Sequence, residues 1–145
     1  MRARHARDLP TRAVLDRHPK AELSLRSIAT SSPRLITRVR AFHLLGHYPT
    51  AETKRLLLGT IADDSAHPKL RAAAITGLRG FDLERDADLR TVVITQLDQT
   101  DVRINVSALR LLAGVPSAKA QLERISRLQS KPALVRRTAR RVLSK

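Results

Sequence analysis

The chain has 145 residues, 42% of them apolar, and 28 Lys+Arg against 13 Asp+Glu give it a formal net charge of +15. That apolar share excludes a disordered chain, the lack of any apolar run of about 18 residues excludes a membrane helix, and the lack of cysteine excludes disulfides, zinc–thiolate sites and cysteine nucleophiles. With no Trp, and with Phe42, Tyr48 and Phe81 as its aromatics, the core is expected to be aliphatic, drawn from 22 Leu with Ala, Val and Ile.

The chain opens on the basic run Met1-Arg-Ala-Arg-His-Ala-Arg7, and residues 1–10 are expected as a flexible basic segment of one domain over 1–145. No apolar stretch follows, so no secretory signal is read and a cytoplasmic location is expected, although a signal already removed would leave the same sequence. Residues 11–17 read as a worn first helix, and 21–30, with Leu25 and Ile28, as its companion.

From there a pattern recurs. Val39-Arg40-Ala41-Phe42, Leu70-Arg71-Ala72-Ala73, Val102-Arg103-Ile104-Asn105 and Val135-Arg136-Arg137-Thr138 superimpose, their aliphatic–Arg pairs spaced by 31, 32 and 33 residues. Each reads as the first helix of a pair, with apolar residues at helical spacing as in Leu70, Ala73, Ala74, Gly77 and Leu78. Second helices are expected over 51–62 (Leu57, Leu58, Ile61), 86–98 (Leu89, Val93, Leu97) and 118–128 (Leu122, Ile125, Leu128). Ser31-Ser32-Pro33, Asp64-Ser65-Ala66-His67-Pro68, Thr100-Asp101 and Ser130-Lys131-Pro132 precede the first helices, where Ser, Thr or Asp can cap and Pro is tolerated. Tyr48-Pro49-Thr50, Gly80-Phe81-Asp82 and Gly114-Val115-Pro116-Ser117 separate first helices from second ones, which makes about nine helices in four and a half pairs.

The Val/Leu-Arg-x-x-Ala/Val pattern with Pro or Asp upstream resembles the HEAT-like repeats of the armadillo-type α-solenoid superfamily, in the short phycobilisome-lyase form. It covers roughly 33–145 and, weakly, 11–32. The resemblance implies an all-α, right-handed superhelix of stacked helix pairs. It also implies that Arg40, Arg71, Arg103 and Arg136 pack between repeats, pairing with loop acids such as Asp64 or Asp101. The ankyrin Thr-Pro-Leu-His signature is absent, and the tetratricopeptide pattern is hinted at only by Leu45-Gly46 with Tyr48.

Patterns that carry chemistry are sparse. Asp82, Glu84 and Asp86, with Asp88 close by, gather in one loop, but without the Gly-centred spacing of a calcium loop and with Arg85 and Arg90 among them. Asp86 and Asp88 at a helix start are accounted for by its dipole. His43 and His47 stand four apart on one helix, yet a zinc site needs three or four ligands and nothing nearby completes the set. Five glycines form neither a phosphate loop nor a nucleophile elbow, and Ser107 and Ser126 fall in helices without a base. Two enzyme families use related repeats. The lyase name supports the repeat and not the reaction, and the alkylation-repair glycosylases need an aromatic-lined cleft that a chain without Trp does not supply. A non-enzyme with no catalytic, cofactor-binding or metal-binding residues is expected.

Charge is unevenly arranged: +7 over 1–40, −2 over 41–101 and +10 over 102–145. Arginine outnumbers lysine 22 to 6, a skew that GC-rich coding also produces. Arg136, Arg137, Arg140 and Arg141 fall on one side of the last helix, opposite Leu134, Val142 and Leu143, and Arg124, Arg127 and Lys131 extend the patch. If second helices line a concave groove, as the resemblance implies, Lys54, Arg55, Arg90, Arg124 and Arg127 belong to it, with the last-helix arginines as an end patch. The leading expectation is a non-catalytic protein-interaction scaffold for an acidic partner. Salt-sensitive, sequence-independent nucleic-acid binding is the alternative, and a lyase-like factor handling a prosthetic group is the third.

Overall fold

The computed structural model describes residues 9–144, so most of the basic segment expected over 1–10 lies outside the described residues. Among the described residues the chain is all-helical, with no strand. Nine α-helices follow in order: α1 (Arg12–Leu15), α2 (Ala21–Ser31), α3 (Leu35–Leu45), α4 (Ala51–Ala62), α5 (Pro68–Gly77), α6 (Ala87–Thr95), α7 (Val102–Leu111), α8 (Lys119–Arg127) and α9 (Ala133–Leu143). Short 3₁₀ turns over Leu78–Gly80, Gln96–Asp98 and Pro116–Ala118 extend α5, extend α6 and lead into α8. The helix expected over 11–17 shrinks to a single turn. Pro19 biases His18 away from helical geometry, and Lys20, at φ 62, redirects the chain into α2.

Helix starts follow local chemistry. The Thr50 hydroxyl accepts from the Thr53 amide at 3.2 Å, the Asp86 carboxylate from the Leu89 amide at 2.9 Å and Asp101 from the Arg103 amide at 2.8 Å. These side chains satisfy amides that a helix leaves without intrahelical partners. At α5 the cap is His67, whose Nδ1 accepts from the Lys69 amide at 3.1 Å while Pro68 takes the first helical position.

Contacts divide the chain into two compact units, Met1–Gly80 and Phe81–Lys145. In the first, α3 packs on α2 and α5, and α5 packs on α4. Phe42, Leu45, Leu57, Ile61, Ile75 and Leu78 fill the centre. The approach of α3 to α5 is close enough to require Gly77, where a Cβ would stand 2.7 Å from the Phe42 carbonyl oxygen and 2.9 Å from the Leu57 side chain. In the second unit α9 packs on α7 and α8 around Leu97, Ile104, Leu109, Leu112, Ile125 and Val135.

A recurrent contact ties α3, α5 and α7 to the end of the helix before each, and α9 to the loop after α8. Four residues beyond the N-cap of α3, Arg38 Nε donates to the Ala29 carbonyl at 2.7 Å. The same place on α5 holds Arg71, whose Nε donates to the Ile61 carbonyl at 3.0 Å and whose Nη2 pairs with Asp64 at 3.1 Å. On α7 it holds Asn105, fully buried, whose amide donates to the carbonyls of Gln96 (2.9 Å), Leu97 (3.2 Å) and Gln99 (3.0 Å). On α9 it holds Arg136, which donates to the Gln129 side-chain oxygen. In the first two cases the acceptors are carbonyls of the last helical turn that lack an intrahelical partner, and in the third they lie in and just after the 3₁₀ turn that ends α6. The structural series is therefore Arg38, Arg71, Asn105 and Arg136. Of the four expected arginines, Arg71 and Arg136 belong to it; Arg40 and Arg103 lie two residues away from the equivalent places.

Candidate functional site

The cationic candidates sort by what their side chains already touch. On α4, Arg55 is exposed and Lys54 half-buried. Arg55 lines an open groove between α2 and α4 with Arg26, Glu52, Leu56, Gly59, Thr60 and Asp63. Its charge is mixed, two arginines facing two carboxylates. Arg90 on α6 is occupied internally: its Nη1 donates to the carbonyls of Leu83 at 2.8 Å and Glu84 at 2.7 Å, holding the loop before its own helix. Arg124 on α8 pairs with Asp98 at 2.9 Å and donates to Gln121 at 3.1 Å.

The four arginines of α9 are not equivalent. Its buried stripe is Val135, Ala139 and Val142, at i, i+4 and i+7. Arg136 and Arg140 flank that stripe and reach toward α8, Arg136 to Gln129 and Arg140 to the Ser126 carbonyl at 3.4 Å. Arg137 and Arg141 point outward and are exposed, as is Arg127 on α8. None of Arg127, Arg137, Arg140 and Arg141 forms an ion pair with a described residue. Leu134, expected on the buried side, is instead 49% exposed, because it lies one residue out of phase with Val135. The outward face of α9 thus carries an apolar side chain one and two turns before two guanidiniums that pair with no described carboxylate.

Lys131, between α8 and α9, is turned inward. Its ammonium donates to the Gln99 carbonyl at 2.8 Å and to Asn105 Oδ1 at 3.2 Å, and burial pulls its pKa below the usual lysine range. It therefore stitches loops together and does not extend the patch. Of the acids expected to gather, Asp82, Asp86 and Asp88 line an open surface depression with Arg85 and Ala87, whereas Glu84 turns away and accepts from the Ser117 amide at 3.2 Å and from the Ser117 hydroxyl. Asp82 and Asp86 bond to backbone amides of their own loop and helix, and Arg85 lies 3.5 Å from Asp82. Among the described residues no three His, Asp or Glu side chains are grouped to hold a metal. No helix among them is long and apolar enough to cross a membrane.

A second polar cluster lies in the first unit. Arg12 on α1 pairs through Nε with both oxygens of Asp16, at 2.7 and 2.9 Å, and stacks its guanidinium 4.3 Å from the centroid of the buried Tyr48 ring. Its Nη1 donates to the His47 carbonyl. The Tyr48 hydroxyl donates to Asp16 at 3.5 Å. Arg79, in the turn after α5, brings Nη2 to 3.4 Å from His47 Nε2. Burial, followed by the charge of Arg79, holds His43 and His47 below the ordinary histidine range. Apart from Arg12 and Asp16, four residues apart, these partners are more than thirty residues apart in the chain, so the sequence alone carried no sign of their meeting beyond the His43–His47 spacing. No protein-family model, curated protein or solved structure matches the chain.

Proposed function

We propose that the chain is a non-catalytic scaffold of HEAT-like helical repeats, wound as a right-handed solenoid, which docks an acidic protein segment on the outward face of α8 and α9. The observation that carries this reading is the set Arg127, Arg137, Arg140 and Arg141, which no described carboxylate neutralises. Like charges one turn apart on α9, as at Arg137 and Arg141, cost a helix a few tenths of a kcal/mol, and an anionic partner removes that repulsion. The recurrence of helix pairs, each locked to the preceding helix end or the loop after it by Arg38, Arg71, Asn105 or Arg136, supports the repeat assignment.

Two features favour protein over nucleic acid. Leu134 offers an apolar anchor beside Arg137 and Arg141, as a protein interface uses and a phosphate backbone does not. Stacking of bases needs exposed aromatic rings, whereas Phe42 and Tyr48 are buried and Phe81 is half-buried. Fluorescence anisotropy with labelled poly-L-glutamate, a generic duplex DNA and a single-stranded RNA, at low and near-physiological salt, tests the assignment. Both interactions weaken as salt rises, and polyglutamate is expected to bind more tightly than either nucleic acid at near-physiological salt. Absence of binding to all three at low salt, or a lasting preference for nucleic acid, overturns it.

A further inference from the structure

The cluster around His47 has a charge imbalance that the docking face does not explain. Arg12 is balanced by the two oxygens of Asp16, and Asp16 is further engaged by the Tyr48 hydroxyl. Arg79 has no such balance: among the described residues no carboxylate pairs with it, and its one polar contact is the ring of His47. Its conformation is nonetheless constrained. The Arg79 side chain lies flat on Gly46, with Cγ, Nε and Cζ at 3.0 to 3.1 Å from where a Cβ would stand. Glycine at position 46 therefore permits the seat, and the neighbouring Gly80 is held against the Gly46 carbonyl in the same way. Burial lowers the proton affinity of Arg79, but a guanidinium remains charged at neutral pH, so the uncompensated charge stays in place.

The geometry points to an anion site here: we propose that Arg79 and His47, backed by Arg12, bind the dianionic head of a phosphomonoester. A phosphate presents several oxygens to the forked donor of Arg79 and to the N–H that His47 Nε2, which accepts from Arg79 Nη2 while the ring is neutral, gains on taking up a proton. The groups facing His47 are Arg79, Arg12 and Asp16. Glu22 of α2 is committed to Thr50 and Thr53, with Thr53 Oγ1 donating at 2.9 Å. The cations of α5 itself, Lys69 and Arg71, stand in its first turns, at the end of the helix away from Arg79. Burial first, and then two guanidiniums against one carboxylate, hold His47 below the ordinary histidine range, and a bound dianion reverses the field on it. Binding is therefore coupled to proton uptake at His47, and because a phosphomonoester takes up its own second proton near pH 6, affinity is expected to pass through a maximum in the mildly acidic range instead of rising steadily as pH falls.

The test follows the ring protons of His47 by NMR through a pH titration, in inorganic phosphate and in chloride of matched ionic strength. The titration midpoint of His47 is expected to rise in phosphate by about one unit over its value in chloride, the size of effect an adjacent opposite charge produces. Arg79→Gln is expected to abolish the rise and Arg79→Lys to keep part of it, with helix content by circular dichroism unchanged in both. A His47 midpoint that is the same in phosphate and chloride, or that still rises in Arg79→Gln, overturns the site.

Discussion

At Gly77 and Gly59 the same added methyl group has opposite consequences. A Cβ at Gly77 collides with the Phe42 carbonyl and the Leu57 side chain, both in the packed interior of the first unit. Gly77→Ala is expected to lower unfolding free energy by about 1–3 kcal/mol, as overpacking does. A Cβ at Gly59, within α4, meets nothing within 4 Å, so Gly59→Ala is expected to add about 0.5–1 kcal/mol through helix propensity alone. Urea midpoints of the two variants check both signs. Arg71 and Arg103 make a second contrast, since the side chain of Arg71 is 8% exposed and that of Arg103 is 53% exposed. Arg71→Met strands the Ile61 carbonyl and removes the Asp64 pair, which is expected to cost about 1–3 kcal/mol. Arg103→Met loses only a local pairing with Asp101 and should stay within about 0.5 kcal/mol of the parent in the same urea experiment.

Between elements, the caps and the histidines set the dependence on pH. The Asp101 carboxyl is held below the usual range by its bonds with Arg103, and burial only partly opposes them. Its stabilising effect is fully present above the unfolded carboxyl value near pH 4 and is lost as pH falls through the lower folded value. The histidines act in a milder range. His43 and His47 bind protons less readily folded than unfolded, so stability is greatest above about pH 6.5 and declines as pH drops through the window below it. Thermal unfolding between pH 7.5 and 5 is expected to show that decline, and His43→Gln to flatten it; a pH-independent midpoint in the parent would contradict the assignment.

The elements were legible because their signals are local. Thr50, Asp86 and Asp101 sit one residue before the helices they cap, and the helix over 51–62 appears with those bounds. What escaped depends on phase between successive helices. The aliphatic–Arg register placed Arg40 and Arg103 with Arg71, yet the place that meets a preceding helix end is held by Arg38 and by Asn105, which is not even a cation. Leu134 escaped for the same reason, a rotation of one residue on α9. Of the cationic candidates, Arg137 and Arg141 were readable as exposed. The engagement of Arg90 with backbone carbonyls, and of Arg124 with Asp98 across twenty-six residues, was not.

For the molecule as a whole, a net charge of +15 means that any polyanion is attracted at low salt, so attraction alone identifies no surface. What distinguishes a docking face is that equal changes of charge at different places have unequal effects. Arg137 and Arg141 lie on the proposed face beside Leu134, whereas Lys69 on α5 and Arg110 on α7 are exposed cations remote from it in the chain. The deciding measurement is the affinity of labelled poly-L-glutamate, at near-physiological salt, for Arg137→Glu/Arg141→Glu and for Lys69→Glu/Arg110→Glu. Both variants change the net charge equally. A loss of at least tenfold confined to the α9 pair, about 1.4 kcal/mol, is the expected result. Equal weakening by both pairs would mean that the polymer reads only overall charge, and the docking face on α9 would have to be abandoned.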